Sequence, residues 1–312
     1  MSSRSFRFNP GAPVPDEVRR VARGRIDHAL DELLGKSDST REEAVHEARK
    51  DMKKLRALLR LVRGELGDRV HRAENACFRD VARELSGVRD ADVMLATLGD
   101  LEERYGDLPG AASRLRPALV AHRFRMSTAS LTPASKTVAE TLGEARERVA
   151  DWPLESDGFE TFEEGLWRIY RQGRRDFRAA HKLASPERMH EWRKRAKDLW
   201  YQLQLLQDSW KTVMSALADE AHELSDRLGD EHDLTVLREW AHRHMSTLNG
   251  DDSVLRGFDV LLEARRRELD EEAFAYGTRL YADKPSVFVG RLEGWWDAAC
   301  EASVPPPQRT SA

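Results

Sequence analysis

One motif occurs twice, and that repetition constrains the chain more than anything else in its sequence. His46-Glu47-x-Arg49-Lys50-x-x-Lys53 returns as His190-Glu191-x-Arg193-Lys194-x-x-Lys197, 144 residues later. Leu85 to Asp90 aligns with Leu228 to Asp233, and Ala121-His122-Arg123 with Ala264-Arg265-Arg266, both 143 residues apart. Gly24-Arg25-Ile26-Asp27 resembles Gly173-Arg174-Arg175-Asp176. Matches in one order at nearly one spacing read as an internal duplication. Trp152-Pro153 and Asp157-Gly158 break the helical pattern where the two copies should meet.

The local signals are helical. Thr40 with Glu43 three residues on has the form of a capping box. Ser185 followed by Pro186 is a cap residue with proline at the first helical position. No run of alternating β-branched and aromatic residues reads as a strand. The expectation is an all-α fold of two related antiparallel bundles, of five or six helices each, facing across a basic groove. Residues 15–152 form the first and 153–302 the second. Residues 1–14 and 303–312, the latter with Pro305 to Pro307, read as tails.

Helical phase says what the repeated motif presents. At about 100° per residue, Arg49, Lys50, Lys53, Ala57 and Arg60 share the face of His46. Ala48, Met52, Leu55, Leu59 and Val62 lie opposite. In the second copy His190, Arg193, Lys194, Lys197, Tyr201 and Gln204 oppose Trp192, Ala196, Leu199, Leu203 and Leu206. Each helix should bury one flank and expose a cationic ridge about 10 Å long. Like charges four apart, Arg49 with Lys53 and Arg193 with Lys197, destabilise a helix by a few tenths of a kcal/mol. Their recurrence asks for an anionic partner. Arg25, Arg174, Arg123 and Arg266 pair through the repeat and extend the stripe. Arg89-Asp90 and His232-Asp233 each follow a glycine read as part of a loop, Gly87 or Gly229; the Asp suits a cap or an ion-pair partner, and Arg89 and His232 can join an anion site.

Charge and composition narrow the function. The net charge of −4, from 51 basic and 55 acidic residues, argues against coating nucleic acid through the overall field. It leaves room for a segregated basic site. Cys77 and Cys300 make neither a disulfide framework nor a zinc site. No signal-peptide core and no apolar stretch of membrane-spanning length is present, so the expected compartment is a reduced cytoplasm without membrane insertion. Arg and Lys one turn from His46 and His190 would repel a metal cation. No phosphate-binding glycine loop or nucleophile–base pair stands out, so no cofactor and no catalysis are expected. His46 as a phosphoryl acceptor is the weaker enzymatic alternative.

Together these residues resemble the CHAD family, the conserved histidine α-helical domain. The marks are His46-x-x-Arg49-Lys50 and His190-x-x-Arg193-Lys194 with the following lysines, and the Arg89-Asp90 and His232-Asp233 pairs. The ending Lys284-Pro285-x-x-Phe288-x-x-x-Leu292-x-x-Trp295-Trp296 is the third. The resemblance runs from about Pro15 to Ala298. It implies two similar bundles across a basic groove and binding of inorganic polyphosphate, in some members at polyphosphate granules. The triphosphate-acting CYTH domain that many relatives carry has no strand-rich counterpart here. Polyphosphate suits the stripe on physical grounds too, being a flexible polyanion without bases to stack. Single-strand nucleic-acid binders interleave aromatics with their basic groove, and here only Tyr201 and Tyr170 are near it, so nucleic acid drops to a minor ligand. A scaffold docking an acidic protein, or an accessory subunit of a phosphate-processing enzyme, needs the same stripe.

Overall fold

The structure is a computed structural model and describes residues 4–85, 89–106, 110–129, 133–244 and 252–303. Among them every long element is a helix. In order they are α1 (Val14–Leu33), α2 (Arg41–Leu61), α3 (Arg63–Glu84), α4 (Arg89–Tyr105), α5 (Ala111–Ala129) and α6 (Pro133–Arg148). After the break come α7 (Glu160–Lys182), α8 (Pro186–Leu205), α9 (Lys211–His244), α10 (Asp252–Leu280) and α11 (Pro285–Ser303). The all-α expectation holds, and no described helix is long and apolar enough to cross a membrane.

The two motif helices start where their caps place them. Thr40 Oγ1 accepts from the Glu43 N–H at 3.3 Å, while the Glu43 carboxylate accepts from the Thr40 N–H at 2.8 Å. Ser185 caps α8 by accepting from the Arg188 N–H at 3.4 Å. The apolar flanks are buried as their phase requires: Met52, Leu55 and Leu59 on α2, and Trp192, Leu199 and Leu203 on α8, have no exposed surface. The connector between α6 and α7 is pinned rather than loose. One Glu65 carboxylate accepts from the N–H groups of Glu155 and Ser156 and from the Ser156 hydroxyl.

Among the described residues two hydrophobic cores form, and neither stops at the chain's midpoint. The larger joins α1, α2, α3 and α6 to α7, α8, the first part of α9, and α11. The smaller packs Leu98, Leu115 and Leu119 of α4 and α5 against Leu234, Trp240, Phe258 and Leu262 of α9 and α10. Residues 15–152 and 153–302 therefore share both cores instead of each enclosing its own. Gly165 shows how closely the halves approach: a Cβ there would run into the Leu61 carbonyl at the end of α2.

The described part of the N-terminal segment is no tail. Phe6 and Phe8 are buried, Phe8 stacking on Phe162 with ring centroids 5.0 Å apart and donating its N–H to the Leu205 carbonyl at 2.8 Å. Two alternate aromatics supply enough apolar surface to hold the segment against α7 and α8. At the other end Ser303 is the last residue of α11, and the remainder of the expected 303–312 tail lies outside the described residues.

Candidate functional site

The repeated lysines lie within each other's electrostatic reach. α2 packs against α8, and the Arg60 guanidinium bridges them through a 3.0 Å ion pair with Asp198. Just N-terminal of that bridge the ridges come together. Burial, then the positive charges of Lys197, Arg49 and Arg193, press the Lys53 ammonium down to about 8, with Asp233 of α9 pulling the other way. Burial is the larger cause, and the neighbouring cations add to it in the same direction.

His190 feels Arg193 and Lys194 of the same ridge, and its ring is 4.8 Å from that of His232 on α9. Burial and the charges of Arg193, His190 and Lys194 lower His232 to about 4. His190 is lowered too, by burial and then Lys194 and Arg193. Both imidazoles are thus neutral at pH 7. The Nδ1 atoms of His46 and His190 and the Nε of Arg193 are buried without a hydrogen-bond partner, an expensive condition unless something else satisfies them. The glutamate inside each motif repeats a role as well: Glu47 holds Lys50 at 2.9 Å and Glu191 holds Lys194 at 2.6 Å.

Several residues that phase or repeat assigned to the stripe lie elsewhere. Arg25 is buried, donating to Asp51 at 3.1 Å and to the Arg4 carbonyl. Arg266 is likewise buried, with its Nη2 2.7 Å from Glu231. Both serve interior carboxylates. Tyr201 is 1% exposed, packed on Trp200 and Phe6, because the ridge face turns inward beyond Lys197. Tyr170 is buried in the same way, its hydroxyl donating to the Leu280 carbonyl. Arg60 spends its charge on Asp198, and Arg123 is tied to Asp92 and Glu42. Arg174 faces another cavity, described below. Arg89 opens α4, but its side chain and Gly87 lie outside the described residues.

His232 and Asp233 do not follow a loop. They lie within the 34-residue α9, and Gly229 is one of its helical residues. Asp233 is the cluster's acidic neighbour, the ion-pair role rather than the cap. The sequence reading missed that His232 and His190 would form a ring pair. The repeat pairs His190 with His46 and His232 with Arg89, so it carries no signal for that pairing, and phase alone does not bring α9 over α8.

A model of the CHAD domain matches residues 21–242. The chain belongs to the CHAD family. Its fold also matches the crystal structure of the CHAD domain from the plant Ricinus communis, with a TM-score of 0.64 at 17% identity. That match covers 89% of this CHAD chain and 96% of the plant one. No curated protein matches it.

The histidines make the site sensitive to pH in a definite direction. His71, its two ring nitrogens buried without partners, is also held at about 4 by burial first and by Arg63, Arg60 and Arg168. His71 and His232 bind protons more weakly when folded than when unfolded, where histidine titrates near 6.5. Stability from their neutral state is therefore complete above about 6.5 and is lost as pH falls towards 4, a few kcal/mol in all. A bound polyanion would favour the proton on His232 and leave His71 unaided. The rise in melting temperature on adding long polyphosphate should thus be larger at pH 5.5 than at pH 8; an equal or smaller rise would remove His232 from the site.

Proposed function

We propose that this CHAD chain binds long inorganic polyphosphate, without turning it over, through the cationic cluster where α2 meets α8. The observation that carries the reading is the packing of α2 on α8, which buries Lys53 and sets it, with Arg49, in the field of Lys197 and Arg193. Four cations from two helices are held close enough to repel one another. A polyanion relieves that repulsion and offers acceptors to the unpartnered imidazole and guanidinium nitrogens. The reading favours a cytoplasmic protein acting at polyphosphate granules.

Chain length is the discriminating variable. One or two phosphates engage part of one ridge, whereas a chain reaches both, and its second contact forms at high effective concentration. Titration with polyphosphates of defined length, with pyrophosphate, DNA and RNA as comparators, should give affinity that climbs with length. Pyrophosphate binding as tightly as the long chain would point to a small-anion or enzymatic pocket. Tighter binding of RNA or of an acidic protein would replace the ligand.

A further inference from the structure

A second concentration of positive charge lies away from the repeated motif. Arg168, Arg171, Arg174, Arg175 and Arg178 of α7 and Lys284 at the start of α11 line a concavity of about 730 Å³. No described residue of α2, α8 or α9 lines it. Its volume is that of a small-molecule site; its charged lining is entirely cationic, with Trp167, Gln172, Pro285 and Ser286 completing the wall.

Neighbouring acids neutralise only part of that charge. Arg168 pairs with Glu164, and Arg175 with Asp176 at 2.9 Å. Arg174 donates from Nε to the Tyr281 carbonyl at 3.0 Å, which fixes its guanidinium at the wall. Arg171, Arg178 and Lys284 have no carboxylate partner among the described residues. Arg171 and Arg178 are two turns apart on one face of α7, about 10 Å. Two like-charge pairs at i,i+4, Arg171–Arg175 and Arg174–Arg178, weaken the helix that carries them.

The aromatic at the rim narrows the ligand. Trp167 is 39% exposed, and the Arg171 guanidinium already covers its ring, 4.9 Å from the centroid. The indole therefore serves as a platform that orients a cation. The positive end of the 19-residue α11 opens at Lys284 on the same cavity.

We propose that the concavity between α7 and the start of α11 is a separate anion site for a short condensed phosphate, read through its phosphates alone. Several adjacent phosphate groups match the row from Arg171 to Arg178, and the aromatic in the wall, Trp167, already carries the Arg171 guanidinium over its ring. The site stands whether or not long polyphosphate occupies the α2–α8 cluster.

The test uses inorganic tripolyphosphate and isothermal calorimetry on the full chain. A Lys53→Glu/Lys197→Glu protein, with the first cluster disabled, should still bind tripolyphosphate within about threefold of the parent at this site. Adding Arg171→Glu and Arg178→Glu should weaken that binding by at least about tenfold, the loss of two charge-assisted contacts. Both arginines are exposed, so helical content by circular dichroism should hold. Trp167→Leu, which removes only the platform, should weaken binding by a smaller factor. Tripolyphosphate binding unchanged by the Arg171 and Arg178 reversals, or abolished by the lysine reversals alone, would overturn the proposal. So would ATP binding more than about tenfold tighter than tripolyphosphate, which would make this a nucleotide site.

Discussion

The doubly reversed protein, Lys53→Glu with Lys197→Glu, is expected to bind long polyphosphate at least about a hundredfold more weakly than the parent, and each single reversal about tenfold. Each new carboxylate would lie among Arg49, Arg193 and the remaining lysine, so it subtracts one cation and neutralises a second. The same placement protects the fold. A glutamate at 53 is buried as the lysine is, but the neighbouring cations that repel the lysine attract it, and the apolar flank of α2 is untouched. Thermal stability should be equal or higher, which separates lost binding from unfolding. Salt provides an independent reading. The parent's log affinity should fall nearly linearly with log salt, as for proteins on nucleic acid, and the double variant should fall less steeply by about four charges' worth. A folded double variant that holds long polyphosphate like the parent would reduce the ridge to a solvated face.

Arg25→Met should act in the opposite sense, on stability and not on binding. Asp51 is 2% exposed and receives Arg25 at 3.1 Å and His28 Nδ1 at 2.6 Å. Removing one partner of a buried pair leaves an uncompensated charge, typically 3–5 kcal/mol. The lower end, about 3 kcal/mol, is expected here because His28 still reaches the carboxylate. The measurement is the denaturant midpoint beside the polyphosphate affinity. A loss of affinity at unchanged stability would return Arg25 to the binding surface.

These two residues show what one sequence discloses and what it withholds. Arg25 and Lys53 are both cations on helices with a repeated counterpart, and the helical wheel treats them alike. Lys53 could be assigned because its own helix supplies the evidence: an apolar flank at fixed phase, a capping box at Thr40, and a second copy with the same spacing. The fate of Arg25 depends on Asp51, and that of Arg266 on Glu231, carboxylates on other helices whose approach no periodicity records. Tyr201 failed for a related reason, since phase is a direction and not a depth. Gly229 misled in another way. Glycine costs a helix about 1 kcal/mol relative to alanine and so reads as a break, but α9 runs through it. A side chain there would meet the Arg193 guanidinium at 3.9 Å, an ordinary contact. Phe6 and Phe8 were a legible signal that the short polar segment around them obscured.

The sharing of both cores between early and late segments has a consequence for how the molecule is made. A ribosome delivers α4 and α5 long before α9 and α10, and the cluster of Leu98, Leu115 and Leu119 is closed only by the later pair. Phe8 waits likewise for Phe162 and Leu205. Contacts this distant along the chain close slowly, and exposed apolar faces attract other nascent chains meanwhile. The first half cannot be completed and set aside while the second is translated. Although the sequence reads as the same paragraph written twice, the molecule becomes whole only near its last residues.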